Sequence, residues 1–289
     1  MNPKARVFSI KFFIIISAAL FLAGCVSSKN ASSAPVVLSD SDYIPDEFLW
    51  EPVAEGIERF DFKNPDIPLI YHIVKIDLNN EKLQLVCFPD ETTKHSASGK
   101  FTGMKTLDFA KNTACIVAVN ASPFDGRFFK KKIVGIHSFN KTEFSAANKK
   151  YAAIGFSNDQ NNDGYCATII QNQTEGCSAD FDFCFGGFFV VLKDGKVQDS
   201  FAPNYDSRNG AGISKDGKTL YLLVVEGENK NQSIGLTYPL CGQIFCAAGC
   251  YDALEFDGGG SAQLCINGQS VLNYKTSRIQ ANSFGFIEK

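Results

Sequence analysis

The run Ala253-Leu254-Glu255-Phe256 leading into Asp257-Gly258-Gly259-Gly260-Ser261 constrains this chain more than any other stretch. Three consecutive glycines carry no side chain to pack, but they reach positive φ readily and let other groups approach the backbone closely. An apolar run that stops on them predicts a buried strand, Ala253 to Asp257, ending at a tight turn. There successive N–H groups face one concavity suited to an anion. Upstream, Thr219 to Val225 predicts another strand. Between the two, Thr237 suits a helix N-cap, Pro239 is tolerated in the first turn, Leu240, Ile244 and Ala248 share a face, and Gly249 suits the stop. Strand, helix and strand together predict a β-α-β crossover, with ligands gathering beyond the carboxyl ends of its strands. Glu226-Gly227 and the glycine turn occupy those ends.

Elsewhere, Leu69 to Asp77 and Leu83 to Phe88 are β-branched or aromatic runs separated by Asn79-Asn80-Glu81, which predicts a hairpin. A helical stretch follows around Met104, Leu107, Phe109 and Ala110, and then an apolar strand from Ala114 delivers Asn120 at its end. The segment from about Lys130 to Gly176 is rich in polar loops and is expected as surface elaboration. Phe185 to Leu192 predicts a strand turning at Asp194-Gly195, and Lys215-Asp216-Gly217-Lys218 predicts a tight hairpin between Gly210–Ser214 and Thr219–Val225. The fold class expected from these elements is α+β: a mixed, largely antiparallel set of strands, a few packed helices, and one C-terminal crossover carrying the Asp-Gly-Gly-Gly-Ser turn.

At the other end, Lys4, Arg6 and Lys11 precede an apolar run from Phe12 to Leu22 that closes on Leu22-Ala23-Gly24-Cys25. That pattern predicts a lipoprotein signal peptide over 1–24, lipidation of Cys25, a flexible tether over 25–46 and one globular domain over 47–289, outside the cytoplasm of a bacterial cell. Ten cysteines, nine once Cys25 is set aside, predict some disulfides in that setting. No Cys-x-x-Cys pair or neighbouring histidine supports zinc. A net charge of −3 gives no basic face for nucleic acid or for anionic lipid, so contact with a membrane is expected through the anchor alone.

The chemistry-bearing residues then fall into a pattern. Leu254 to Ser261, with its Asp-Gly-Gly-Gly-Ser core, resembles the signature of the phosphodiester glycosidase family. Asn120 stands where that family has a strand-terminal Asn-Gly-Gly-Phe-Phe type motif, Arg208 precedes Gly212 as the family's arginine precedes its hairpin, and Glu226-Gly227 stands at its Asp-Gly-Arg position. Arg278, before Asn282, resembles its closing Arg-x-x-x-Asn element. The resemblance spans roughly Leu69 to the C-terminus. It implies hydrolysis of the bond between an anomeric carbon and phosphate, in a sugar-phosphate diester of the N-acetylglucosamine 1-phosphodiester kind.

On that reading Asp257 and Glu226 are the catalytic carboxylates, activating water or steadying an oxocarbenium-like centre. Asn120, Arg208, Arg278, Ser261 and the Gly258, Gly259 and Gly260 turn bind sugar and phosphate. No cofactor is expected, although oxygen ligands on Asp257, Glu226 and Asn120 would suit a hard cation such as calcium. His72, His95 and His137 are expected to be structural or solvated. Ala121-Ser122-Pro123 in place of glycines, and Glu228 in place of the arginine, favour a second reading: a catalytically silent envelope lipoprotein that binds anionic glycans or partner proteins. A third, an exopolysaccharide assembly factor, shares the same surface without turnover.

Overall fold

A computed structural model of the protein describes residues 38–64, 66–158, 164–174 and 177–289. The expected signal peptide, Cys25 and most of the expected tether lie outside them. The described chain is mostly β, built of antiparallel sheets, with α-helices at Thr106–Asn112, Cys177–Asp180 and Tyr238–Ala247. The α+β expectation holds in that coarse form.

The largest sheet has 8 strands, and its centre is Leu69–Asp77, Thr219–Val225, Arg208–Ile213 and Asp252–Glu255, side by side in that order. Along Thr219–Val225 the alternation of side chains explains why every position after Thr219 is apolar or aromatic. Leu220, Leu222 and Val224 enter one core, while Leu223 and Val225 enter another on the opposite face. The first core is closed by two 5-stranded sheets. One contributes Val117, Val119, Phe284 and Phe286, the other Ile154, Phe156 and Phe185. Phe185 and Phe284 stack where these sheets meet, ring centroids 4.6 Å apart. The second core lies under the Tyr238–Ala247 helix, which inserts Cys241, Ile244 and Phe245. Thr237 caps that helix by accepting a hydrogen bond from Leu240 N–H, and Gly249, at φ +102°, follows its end, both as expected.

Several expectations are corrected. Thr219–Val225 and Asp252–Glu255 do run parallel, but they do not pair. Arg208–Ile213 lies between them, antiparallel to both. The short Lys215–Lys218 turn closes at smaller entropic cost than a helical crossover, so the local hairpin fills the slot that the second strand of the crossover was expected to take. Leu69–Asp77 and Leu83–Phe88 are strands but not a hairpin. The first pairs with Ile57–Asn64 and Thr219–Val225, the second with Ser283–Glu288 in another sheet. Phe185–Leu192 breaks at Gly187–Phe189, where Phe188 N–H donates to the Glu255 carbonyl at 2.6 Å and the chain passes from one sheet to another. The 130–176 region supplies strands of a packed sheet rather than surface elaboration, because its apolar positions alternate inward at Ile154 and Phe156.

Within the stretch expected as the end of the tether, Tyr43 is buried, accepts a hydrogen bond from Tyr71 Oη on its carbonyl at 2.8 Å, and donates its own hydroxyl to Asp40 and Gln243. The nine cysteines among the described residues are free thiols. Cys87, Cys115, Cys177, Cys184, Cys241, Cys250 and Cys265 are buried, so they act as small apolar side chains and not as the expected cross-links.

Candidate active site

Two sheets meet at the ends of Val117–Asn120 and Asp252–Glu255, and the site is built on that junction. Asp257 N–H donates to the Ala121 carbonyl at 2.7 Å, and Asn120 Nδ2 donates back to the Asp257 carbonyl at 2.8 Å. Asn120 Oδ1 meanwhile accepts from Asn209 Nδ2 at 3.0 Å and from Gln263 N–H at 2.9 Å. The carboxamide expected to bind substrate is thereby taken up by scaffold. It fixes where Asp257 sits.

The glycine turn works partly by close approach. A Cβ on Gly258 would lie 2.7 Å from the Ser207 carbonyl, and one on Gly260 would lie 3.3 Å from Arg278 Nη2. The expected anion nest is reduced, since Gly259 N–H donates to the Ser207 carbonyl and Ser261 N–H to that of Gly258. What the turn achieves is to seat Ser261 between Asp257 and Arg278. Arg278 Nη1 donates to Ser261 Oγ at 3.2 Å. Burial pushes the Asp257 carboxyl up to about 6, opposed by the hydrogen bond with Ser261 and by the charge of Arg278. A carboxyl so poised changes its ionisation close to neutral pH, which suits proton transfer.

Gly260 and Arg278 open onto a cavity of about 810 Å³ whose other walls include Lys105, Lys131, Tyr274 and Glu228. Lys131 is nearly buried, with its Nζ 4.6 Å from the centre of the Phe124 ring. Its pKa is lowered by burial and by Arg278. At the rim, Phe128 and Phe129 are 86% and 64% exposed. Sequence reasoning missed these residues. The signal was Arg127-Phe128-Phe129-Lys130-Lys131-Lys132, a basic run around two aromatics at the start of the region taken for elaboration. The overall charge of −3 concealed this local basic face.

Two expected site residues stand elsewhere. Glu226 is buried with Oε1 accepting from Asn273 N–H at 2.9 Å and from Asn273 Nδ2 at 3.1 Å, and it lies 3.0 Å from His72 Nε2. On its far side His72 Nδ1 is 2.8 Å from Asp61. Glu226 thus ties down the loop that continues into Tyr274 and Arg278, and is not paired with Asp257 as a second catalytic carboxylate. Arg208 donates through Nε to the Leu236 carbonyl at 2.7 Å and through Nη2 to that of Asn204, and its guanidinium lies 4.3 Å over the Tyr238 ring. It faces Glu255, a fully buried carboxyl that the sequence did not single out, instead of the cavity. Burial pushes Glu255 up to about 7 against the charge of Arg208. His137 is held between Asn282 Nδ2 and the Pro89 carbonyl, and burial pushes it down to about 4, which makes it a neutral structural side chain.

A mostly antiparallel β fold with an Asp-Gly-Gly-Gly-Ser turn at a sheet junction, a poised aspartate and an arginine beside it defines a hydrolase-like site of one architecture. The phosphodiester glycosidase profile matches residues 113–287, more than half of the chain, and the protein belongs to that family. Among solved structures, the chain superimposes on a protein from Synechocystis with a TM-score of 0.62 at 14% identity, covering 84% of this chain and 64% of that one, so it spans slightly under two thirds of that relative. It also superimposes on the catalytic domain of zebrafish N-acetylglucosamine-1-phosphodiester alpha-N-acetylglucosaminidase, auto-inhibited by its pro-peptide. There the TM-score is 0.61 at 16% identity, over 86% of each chain. No curated protein matches in sequence.

Proposed function

We propose that the protein is a lipid-anchored, extracytoplasmic hydrolase that releases a sugar from a sugar-phosphate diester in a surface or exogenous glycan, with a diester of N-acetylglucosamine 1-phosphate as its model substrate. The observation that carries this reading is the Asp257–Ser261–Arg278 series: a carboxyl poised near neutrality on one side of a hydroxyl, and a guanidinium lining the cavity on the other. In the reaction, water attacks the anomeric carbon, ionised Asp257 takes the proton from that water, and the electrons of the carbon–oxygen bond leave with the phosphate. The products are a free sugar and a phosphomonoester. A phosphate leaves without needing a strong acid, so Arg278 serves by neutralising the charge that develops on it through charge-assisted hydrogen bonds. Asn120 and Glu226 act as positioning residues, the first for Asp257 and the second for the loop of Arg278.

The test is sugar release from N-acetylglucosamine 1-phosphodiesters by the wild-type chain and by Asp257→Asn. The substitution is expected to lower kcat by about 10²–10⁴-fold, with an unchanged melting temperature. Because Asp257 works ionised and its pKa lies near 6, kcat/KM should rise with pH through about 6 and then level. Wild-type turnover that survives Asp257→Asn would remove this mechanism. A folded wild type silent on every diester would favour the catalytically silent glycan-binding lipoprotein.

A further inference from the structure

The cavity next to Arg278 holds more positive charge than the reaction needs. Lys105, Lys131, Lys275 and Arg278 line it, against Glu228 alone of opposite sign. Lys131 is the telling member. The residue as a whole is only 6% exposed, yet among the described residues neither it nor Arg278 is ion-paired with a carboxylate. The nearest charge acting on Lys131 is that of Arg278, which repels it. The Phe124 ring beneath Nζ offsets a small part of that cost. A nearly buried lysine close enough to an exposed arginine to be repelled by it, with no counter-ion, is unfavourable unless the site is arranged to receive anions. A single phosphodiester supplies one negative charge, which the Arg278 guanidinium with Ser261 can already accommodate. The volume of about 810 Å³ also exceeds the need of one phosphate group. At the rim, Phe128 stands outward at φ +50°, a conformation seldom adopted by bulky residues, with Phe129 beside it. Both rings are placed to stack on whatever extends out of the cavity.

We infer that Lys131, with Lys105, forms a second anion subsite, so that the natural substrate is a polymer of phosphodiester-linked units whose next phosphate sits there while the scissile one sits at Arg278. This rests on the hydrolase reading for the role of Arg278, but its test is one of binding and does not require turnover. The probes are short poly(glycerol phosphate) oligomers with one or two phosphodiesters, titrated calorimetrically into the full domain carrying Asp257→Asn. The two-phosphate oligomer is expected to bind at least about tenfold tighter than the one-phosphate oligomer. Lys131→Met, which keeps the buried stem, should abolish that difference. Arg278→Gln should weaken both oligomers. Lys105→Ser, at a partly exposed position, gives a second reading of the same difference that does not depend on the fate of the Lys131 variant, and should reduce it. Equal affinities for the two oligomers, or a Lys131→Met variant that weakens both alike, would overturn the inference. So would an unaltered difference in Lys105→Ser. Co-sedimentation with phosphatidylglycerol vesicles through Phe128 and Phe129, without oligomer binding, would overturn it in favour of a bilayer surface.

Discussion

Glu255 is the least comfortable residue in the molecule, with both carboxyl oxygens buried and lacking well-formed hydrogen bonds. Its folded pKa of about 7 lies above the unfolded value of 4.5, so folding favours the protonated form. A group raised in this way contributes stability that is fully present below pH 4.5 and is lost as pH rises through 7. The shift corresponds to about 3 kcal/mol at most. The melting temperature of the wild type should therefore fall between pH 5 and 8, and Glu255→Gln, neutral at every pH, should flatten that fall and be the more stable protein at pH 8. His72 adds in the same direction over the upper part of the range. Burial lowers its pKa, but the hydrogen bonds to Asp61 and Glu226 outweigh that and raise it, so its contribution is complete below 6.5 and lost as pH climbs through its folded value. A thermal scan at half-unit pH intervals on both proteins checks this. A Glu255→Gln curve parallel to that of the wild type would show that Glu255 is not the source.

At the scale of elements, Glu226 is a buried carboxylate that joins a strand end to a distant loop. It terminates the Thr219–Val225 strand and holds the Asn273 end of the loop that carries Arg278. Glu226→Gln keeps the shape but loses charge-assisted bonds, which are each worth about 1.5–3 kcal/mol. It should lower stability by about 2 kcal/mol in urea unfolding while changing kcat by less than tenfold, in contrast to Asp257→Asn. A kcat loss equal to that of Asp257→Asn would return Glu226 to the catalytic pair. The same element shows what the sequence could and could not disclose. Strand positions were legible because apolar alternation and turn chemistry are local: Leu69–Asp77, Leu83–Phe88 and Thr219–Val225 have the expected bounds, and Thr237 caps its helix. Pairing was not legible, because a strand buried on both faces suits several neighbours, and nothing in Asn79-Asn80-Glu81 states that the next strand joins another sheet. For the site, Asp257 and Arg278 were marked by the glycine turn and the family pattern. The engagement of Asn120, Glu226 and Arg208 by backbone groups depends on contacts from Gln263, Asn273 and Leu236, distant in sequence.

At the scale of the whole molecule, stability among the described residues rests on packing and not on covalent cross-links, and both ends of the described chain take part. The buried thiols are pushed well up by burial, as at Cys241 and Cys250, whereas Cys246 is exposed. A thiol reagent should therefore modify Cys246 first in the native protein, and reductant should leave the melting temperature unchanged. The N-terminal segment gives the sharper test. Phe48 and Trp50 stack at 5.8 Å and meet Phe60 edge-on, while Tyr43 fills the second core and bonds to Asp40, Gln243 and Tyr71. Burying one such side chain stabilises by about 1.5–3 kcal/mol, and each hydrogen bond adds about 1 kcal/mol. A chain beginning at Leu38 should match the full-length domain in melting temperature. One beginning at Glu47, near the boundary that composition suggests, should lose roughly 2–4 kcal/mol, or about 5–10 °C for a domain of this size. Because Gln243 lies on the helix that covers Glu255 and Arg208, hydrogen exchange should rise along Tyr238–Ala247 in the shorter chain, with no change at the sheet junction that holds Asp257. Equal melting temperatures for the two chains would instead mean that the segment only lies against the domain, and that the core under the helix is complete without Tyr43.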